Sequence, residues 1–161
     1  MNQHPDYVLN KINGPKDLKK LSFEELSKLP DEMRQLVLEK DAAIGGHVGP
    51  NLGIMEVTTA FHYVFDAPKD KIVFDVSHQS YGHKMLTGRK NAFLDPDCYN
   101  DVTGYTNPDE SEYDCFTVGH TSTSVSLATG LAQGRDLLSG KENIVAIIGD
   151  GSLSGGLAFE G

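Results

Sequence analysis

The feature that most constrains the fold of this chain is a pair of short apolar runs, each followed directly by a polar loop. One run is KIVFDV at residues 71–76, and the other is VAII at residues 145–148. Helical patterns separate the two runs, which predicts an α/β fold in which a parallel sheet is flanked by helices through right-handed crossovers. Ligands of such sheets bind beyond the carboxyl ends of the strands. The loops after both runs are therefore the first candidates for a site.

Four helices are predicted before the second strand, and a fifth is predicted to begin at Ser152 after the glycine turn. Ser22 followed by Glu25 is a capping-box pattern that marks a helix start, and Leu29-Pro30 predicts the end of that helix. A second helix then runs up to Gly45-Gly46. The third is predicted from apolar residues at helical spacing, namely Ile54, Val57, Phe61 and Val64. The fourth follows GHTSTS and is rich in small residues. Its Ser, Ala and Gly positions permit close packing.

The remaining segments lack a regular period. Residues 1–20 predict an irregular arm, residues 45–53 and the segment SHQSYGHK predict polar loops, and the acidic residues 95–114 predict a surface excursion. No linker or internal repeat divides the chain. We therefore expect residues 1–161 to belong to one domain.

Composition limits the classes of partner. A chain of 161 residues with a formal net charge of -9 and no basic block is a poor match for nucleic acid or for an anionic membrane. The N-terminus lacks the apolar core of a signal peptide, and no apolar run reaches transmembrane length. Cys98 and Cys115 form no CxxC pair. These features predict a cytoplasmic protein with no nucleic-acid or membrane partner.

The glycine turn GDGSLSGG after the second run is the strongest sign of a ligand. Gly149 and Gly151 match a dinucleotide fingerprint only in part, and the carboxylate of Asp150 between them would repel a bare pyrophosphate. P-loop and nucleophile-elbow patterns are absent from the turn. Asp150 could instead hold Mg²⁺ that bridges diphosphate oxygens while backbone N–H groups approach the same phosphates. The alternative is that Asp150 merely caps the helix behind the turn.

Three histidines lie in glycine- or serine-rich loops: His47, His78 and His120. Neutral imidazoles can transfer protons near pH 7, and the last two are expected near the same sheet edge as the glycine turn. A single loop histidine is more often solvated or structural. A zinc hydrolase built on His78 and His83 is a further alternative, but it lacks a clustered third ligand.

Five motifs together carry a family resemblance. GGHVGPNLG, DVSHQSYGHKMLTGR, ESEYD, GHTSTSVS and VAIIGDGSLSGG occur in the order and spacing of the N-terminal part of the 1-deoxy-D-xylulose-5-phosphate synthase family. The likeness extends from Ser22 to Gly161. It implies a transketolase-like fold that binds thiamine diphosphate and Mg²⁺. It also implies a homodimeric enzyme that condenses pyruvate with glyceraldehyde 3-phosphate and releases CO₂.

The resemblance assigns roles to individual positions. Asp150 would ligate Mg²⁺, Gly151 and Ser152 would contact the diphosphate, and His78 would reach the cofactor. A loop formed by Gly119, His120 and Thr121 would line the thiamine. His47 would face the reacting carbons, which makes His47 and His78 the candidate catalytic residues.

The chain also departs from the family pattern. The family completes its metal site with an asparagine beyond the glycine turn and activates the cofactor with a glutamate of a following domain, and neither position occurs within residues 1–161. We therefore expect a part of the first domain that is inactive alone. Ser77 and Gly82 stand where many members carry glycine and proline. Two alternatives stay open, namely the N-terminal subunit of a split transketolase-like enzyme and a non-catalytic module on the same fold.

Overall fold

The computed structural model describes residues 4–161, which group into two compact units. The first unit comprises the described residues up to Asp66 together with Gln79–Gly104, and the second comprises Ala67–His78 and Tyr105–Gly161. Across residues 4–161, no helix is both long enough and apolar enough to cross a membrane. The assignment of the whole chain to one domain stays a prediction.

The first unit is helical. Its α-helices are α1 (Pro15–Leu18), α2 (Phe23–Ile44), α3 (Val48–Leu52), α4 (Met55–Val64), α5 (Tyr81–Lys84) and α6 (Asn91–Leu94). Short 3-10 helices span Val8–Lys11 and Pro96–Asp101, and a wide turn spans Met85–Arg89. One apolar core joins these elements, and its fully buried members include Leu9, Ile12, Leu18, Leu29, Met33, Leu36, Met55, Met85 and Leu86.

Helix α2 begins as predicted but does not end where predicted. Ser22 accepts the N–H of Glu25 and the Glu25 carboxylate accepts the N–H of Ser22, which confirms the capping box. The predicted break at Pro30 is wrong, because Pro30 lies inside one continuous helix. An interior proline costs about 3 kcal/mol. The buried stripe that continues from Leu29 past Met33 outweighs this cost by packing on both sides of the proline.

Two segments predicted as loops contain helices. Helix α3 lies within residues 45–53, where Pro50 falls in the first turn, so its missing N–H needs no intrahelical partner. Helix α5 lies within SHQSYGHK, and all four of its residues are buried. Tyr81 joins the apolar core, and its N–H donates to the Asn51 side chain. A partner distant in sequence thus stabilises this polar-looking segment.

Helix α4 has the predicted position but buries a different face. The predicted stripe included Val57 and Val64, which are 46% and 67% exposed. The buried residues are Met55, Thr58, Thr59 and His62. Two of the three polar side chains on this face are hydrogen-bonded: the Thr59 hydroxyl donates to the Met55 carbonyl at 2.8 Å, and Nε2 of His62 lies 2.9 Å from Nδ1 of His83.

The predicted irregular arm is ordered against the core where the structure describes it. Residues 1–3 lie outside the described residues, whereas residues 4–20 include a 3-10 helix and α1. Leu9, Ile12 and Leu18 are fully buried. The Lys90 ammonium donates to the carbonyls of Asn10 at 2.7 Å and Ile12 at 2.6 Å, which fixes the turn between the two short helices.

The second unit contains the predicted parallel sheet. Strands β1 (Lys71–Phe74) and β2 (Ile144–Ile147) pair in parallel, from Lys71 opposite Ile144 to Phe74 opposite Ile147. Helix α7 (Ser124–Leu137) precedes β2, and a 3-10 helix (Ser152–Ser154) and α8 (Gly156–Glu160) follow it. The predicted fold class, a parallel sheet flanked by helices, is therefore confirmed.

The predicted surface excursion is partly anchored. Tyr99 is buried in the first unit, and Thr106 and Asp114 are buried in the second. The Thr106 hydroxyl donates to the Phe116 carbonyl at 2.7 Å, and Asp114 accepts the N–H of Asn107 at 2.8 Å. These bonds explain how an acidic segment without regular secondary structure stays folded back on itself between residues 105 and 116.

Candidate functional site

The candidate site lies at the carboxyl ends of β1 and β2. Because the register pairs Phe74 with Ile147, the two strands end level with each other. The ladder continues one step further, where the N–H of Asp75 donates to the Ile147 carbonyl at 2.7 Å. His78 follows one strand and Asp150 follows the other. The sheet edge predicted from the two apolar runs is therefore present.

Hydrogen bonds within the glycine turn stabilise its conformation. The N–H of Ser152 donates to the Gly149 carbonyl at 3.0 Å, and the N–H of Gly151 donates to Oδ1 of Asp150 at 2.9 Å. The backbone N–H groups of Gly151 and Ser152, the two residues expected to contact a diphosphate, are thus engaged within the turn. The turn itself is exposed, and the space where a Cβ would sit at Gly149, Gly151 or Gly156 has no atom within 4 Å.

Asp150 does not cap either helix that follows it. The 3-10 helix at Ser152–Ser154 and α8 both start at glycine N-caps without a side-chain hydrogen bond. A carboxylate offers about four lone-pair sites, so accepting the N–H of Gly151 leaves capacity for a cation. The exposed Asp150 side chain therefore fits a Mg²⁺ ion whose other ligands are diphosphate oxygens and water.

Among the described residues, Asp150 does not belong to a cluster of metal-ligating side chains. Within residues 4–161, no group of three or more His, Cys, Asp or Glu side chains is placed to hold a metal ion. The zinc alternative needed such a third ligand. His83, one of its two histidines, instead has its Nδ1 atom 2.9 Å from Nε2 of His62.

The loop predicted to line the cofactor precedes α7. Gly119, His120 and Thr121 are exposed, and the space at a Gly119 Cβ is open. The Thr123 hydroxyl donates to the His120 carbonyl at 3.1 Å, which closes the loop as a compact turn. This arrangement leaves the His120 side chain at the surface of the site.

Asp75 is a site residue that the sequence analysis missed. Its carboxylate is only 1% exposed and accepts the backbone N–H groups of Ser122, Thr123 and Ser124 at 2.9, 2.9 and 3.0 Å. Burial alone would raise the pKa of Asp75, but the N–H donors of Ser124 and Ser122 hold this pKa below its ordinary value. The available signal was an aspartate directly after a buried strand, with a Ser/Thr-rich helix start later in the chain.

The backbone between Asp75 and His78 is strained. Val76 and Ser77 have φ values of 58° and 67°, a region that side chains other than glycine rarely adopt. The Ser77 hydroxyl is buried, donates to the Val118 carbonyl at 2.9 Å and accepts the N–H of Thr106 at 3.1 Å. Strain of this kind is concentrated at active sites and ligand-binding loops. The two strained residues directly precede the half-buried His78.

His47 lies in the first unit, at the start of α3. Its N–H donates to the Tyr81 hydroxyl at 3.2 Å, and its carbonyl accepts the Asn51 amide at 2.6 Å. It lines a cavity of about 170 Å³ together with Lys40, Gly46, Tyr81, Val102 and Gly104. The other predicted site residues belong to the second unit. That His47 acts on the same reaction as His78 stays a prediction.

The chain is similar to enzymes of one family. Residues 9–161 match the family described as 1-deoxy-D-xylulose-5-phosphate synthase. A protein of that name from Dictyoglomus turgidum is 54% identical over 153 residues, which cover 95% of this chain and 25% of the relative. Its namesake from Syntrophomonas wolfei is 50% identical over 155 residues, covering 96% of this chain and 24% of the relative. The protein of the same name from Methylacidiphilum infernorum is 48% identical over 153 residues, which cover 95% of this chain and 24% of the relative. The chain thus spans about a quarter of the length of these relatives.

Proposed function

Because the chain belongs to the 1-deoxy-D-xylulose-5-phosphate synthase family, we propose that it binds thiamine diphosphate with Mg²⁺ at the carboxyl ends of β1 and β2. One observation carries the proposal: the two parallel strands end level, and each is followed by a loop that bears a predicted cofactor residue. Asp150 stands in one loop and His78 in the other. Both family membership and the position of ligand sites in parallel sheets support this location.

Asp150 would hold the metal ion. Mg²⁺ prefers six oxygen ligands and is commonly bound by one or two carboxylates together with phosphate oxygens and water. The open space around Gly149 and Gly151 allows a diphosphate to approach the backbone closely, as a bulkier residue would not. Ser152 would contact the diphosphate beside Gly151. The sequence has no Lys or Arg between residues 145 and 161, so the cation would offset the charge of both Asp150 and the ligand.

We propose that the family reaction, condensation of pyruvate with glyceraldehyde 3-phosphate with release of CO₂, is the activity to which this chain contributes. Thiamine diphosphate, when bound, supplies a nucleophilic carbon and an electron sink for decarboxylation. Gly119, His120 and Thr121 would line the thiamine. His78 would reach the cofactor, and His47 would face the reacting carbons, where neutral imidazoles can move protons near pH 7. A homodimer and a cytoplasmic location also stay predictions.

Calorimetry on the purified chain tests the cofactor site. Because the asparagine that completes the family's metal site lies outside residues 1–161, we expect thiamine diphosphate to bind only weakly in the presence of Mg²⁺ and more weakly still when the metal is chelated. Asp150→Asn should remove the dependence on Mg²⁺, whereas Asp109→Asn, at an exposed carboxylate in the segment 105–114, should not change binding. Undiminished Mg²⁺-dependent affinity in Asp150→Asn would contradict the metal assignment. A folded chain whose affinity for thiamine diphosphate does not depend on Mg²⁺ would favour the non-catalytic alternative.

A further inference from the structure

The carboxylate of Asp75 occupies the N-terminus of α7. The first N–H groups of a helix have no intrahelical partners, and they carry the positive end of the helix dipole. In α7 the N–H groups of Thr123 and Ser124 donate to Oδ1 of Asp75, and that of Ser122 donates to Oδ2. These three N–H groups are therefore not available to bind an external anion. Asp75 acts on the loop before α7, and the side chain of Ser152 in the glycine turn also hydrogen-bonds this carboxylate.

Ser122 connects the N-terminus of α7 to the glycine turn. Its N–H is bound by Asp75, and its hydroxyl donates to the Ser152 carbonyl at 2.6 Å. Ser122 is buried and has a φ of 67°, so its backbone is held in a conformation it would not adopt freely. A Cβ built at Gly155 would lie 2.0 Å from the Ser122 hydroxyl oxygen, which shows how closely the turn packs on this side chain.

We propose that Asp75 and Ser122 are positioning residues that hold the turn Gly149–Ser152 against the loop Gly119–Thr121. This inference rests on the proposed function, because those two segments carry Asp150 and the residues expected to line the thiamine. Asp75 fixes the loop through Ser122, and Ser122 fixes the turn through the Ser152 carbonyl. The metal ligand and the thiamine-lining loop are thereby held at a set separation before any ligand binds.

Ser126 provides a matched control for the relay, by which we mean the connection from Asp75 through Ser122 to the Ser152 carbonyl. The Ser126 hydroxyl donates to the Leu157 carbonyl at 3.1 Å, so it also joins α7 to the segment after β2. This bond lies beyond the glycine turn. Ser126 is not among the residues whose N–H groups donate to the Asp75 carboxylate. Ser122→Ala and Ser126→Ala each remove one hydroxyl-to-carbonyl bond. Only the first removes the hydrogen bond to the Ser152 carbonyl.

Amide hydrogen exchange on the ligand-free chain tests the relay directly. Loss of one net hydrogen bond corresponds to about a tenfold change in an opening equilibrium. We expect amides of Gly151–Gly155 to exchange about tenfold faster in Ser122→Ala and in Asp75→Asn, and to be unchanged in Ser126→Ala. Asp75→Asn should also speed exchange at Ser122. Faster exchange confined to the first turn of α7 would reduce Asp75 to a helix cap and overturn the proposal.

Calorimetric measurement of cofactor binding provides a second test of the proposal. With Mg²⁺ and thiamine diphosphate as the probe, Ser122→Ala should weaken binding about tenfold while Ser126→Ala matches the wild type. Wild-type affinity in Ser122→Ala would overturn the proposal even if exchange changes. The two failures are distinguishable, because an absence of binding by the wild-type chain contradicts the proposed function, whereas the exchange arm decides the relay without cofactor. If Asp75→Asn does not fold, Ser122→Ala alone decides it.

Discussion

Nε2 of His62 lies 2.9 Å from Nδ1 of His83, and the two imidazoles stack with ring centroids 5.0 Å apart. Both side chains are buried between helices of the first unit. Burial lowers the pKa of His62 well below its ordinary value, and His83, Arg89 and Lys19 shift this pKa in the same direction. The folded chain therefore holds His62 neutral at pH values where an unfolded chain protonates it.

This pair predicts loss of stability in acid. The contribution of neutral His62 is complete above the unfolded pKa of 6.5 and is lost as pH falls below it. For one proton, the free energy of unfolding should fall by at most about 1.4 kcal/mol per pH unit. Urea denaturation of His62→Gln should show a flatter pH dependence between this value and about pH 5. His120→Gln, at an exposed position, serves as the control. An unchanged slope in His62→Gln would contradict the interpretation.

Asp41, near the end of α2, is a buried carboxylate that we expect to destabilise the fold. It is 8% exposed, and neither of its oxygens has a hydrogen-bond partner among residues 4–161. A Cβ at Gly46 would lie 2.2 Å from Oδ1, so the carboxylate packs directly on the backbone beside His47. Burial raises the pKa of Asp41, and the nearby Lys40 and His47 only partly oppose this shift. We expect Asp41→Asn to raise the free energy of unfolding at pH 7 by about 1–2 kcal/mol.

The pH dependence of that gain checks its cause. A carboxyl whose pKa is raised in the fold contributes stability below the unfolded pKa of 3.8, and the contribution is lost as pH rises through the folded pKa. The advantage of Asp41→Asn should therefore shrink as the pH is lowered toward that unfolded value. Chemical denaturation at both ends of the range measures it, with exposed Asp97→Asn as the control. An equal advantage at both pH values would point to packing instead of charge.

Local patterns predicted the elements that a short stretch of sequence marks. The apolar runs at residues 71–76 and 145–148 correspond to β1 and β2, and the Ser22–Glu25 pattern marks the start of α2. Predictions failed where a distant partner decides. Pro30 is tolerated because a buried stripe packs on either side of it, and α4 turns Thr58 and His62 inward. His62 is paired with a residue 21 positions away, which periodicity does not reveal.

The same limit applies to the candidate site. Asp150 was predicted as a metal ligand because a carboxylate between two glycines is locally unusual, and this role stays a prediction. Asp75 was missed because its role depends on N–H groups 47 to 49 positions further along the chain. The engagement of the Gly151 N–H by Asp150 is a conformational detail of the turn that residue types do not specify.

Ser77 provides a test of strain against hydrogen bonding. Its left-handed backbone, with a φ of 67°, favours glycine, whereas its buried hydroxyl bonds to Val118 and Thr106. Ser77→Ala loses both bonds and keeps the strain, so we expect a loss of about 2–3 kcal/mol in the free energy of unfolding. Ser77→Gly loses the same bonds but relieves about 1 kcal/mol of strain. Chemical denaturation should therefore rank wild type above Ser77→Gly and Ser77→Gly above Ser77→Ala. The reverse order of the two variants would contradict the strained backbone.

The Tyr81 hydroxyl is predicted to fix the loop that carries His47. It accepts the N–H of His47 at 3.2 Å and lies 3.4 Å from Nδ1 of the same residue, while its ring packs on Phe93 with centroids 5.6 Å apart. Asn51 completes the arrangement, because its amide donates to the His47 carbonyl and its Oδ1 accepts the N–H of Tyr81. The loop is therefore held by side chains of α3 and α5 as well as by its own backbone.

Tyr81→Phe removes only the hydroxyl and keeps the ring in the core. We expect a loss of about 1 kcal/mol in the free energy of unfolding, since the His47 N–H loses its acceptor, and about tenfold faster exchange of the His47 amide. Tyr63→Phe, at a tyrosine that is 44% exposed, should change neither quantity. Denaturation and amide exchange measured on the same samples separate a local from a global effect. If the His47 amide exchanges at the wild-type rate in Tyr81→Phe, the hydroxyl does not hold the loop, and the ring packing of Tyr81 alone accounts for its burial.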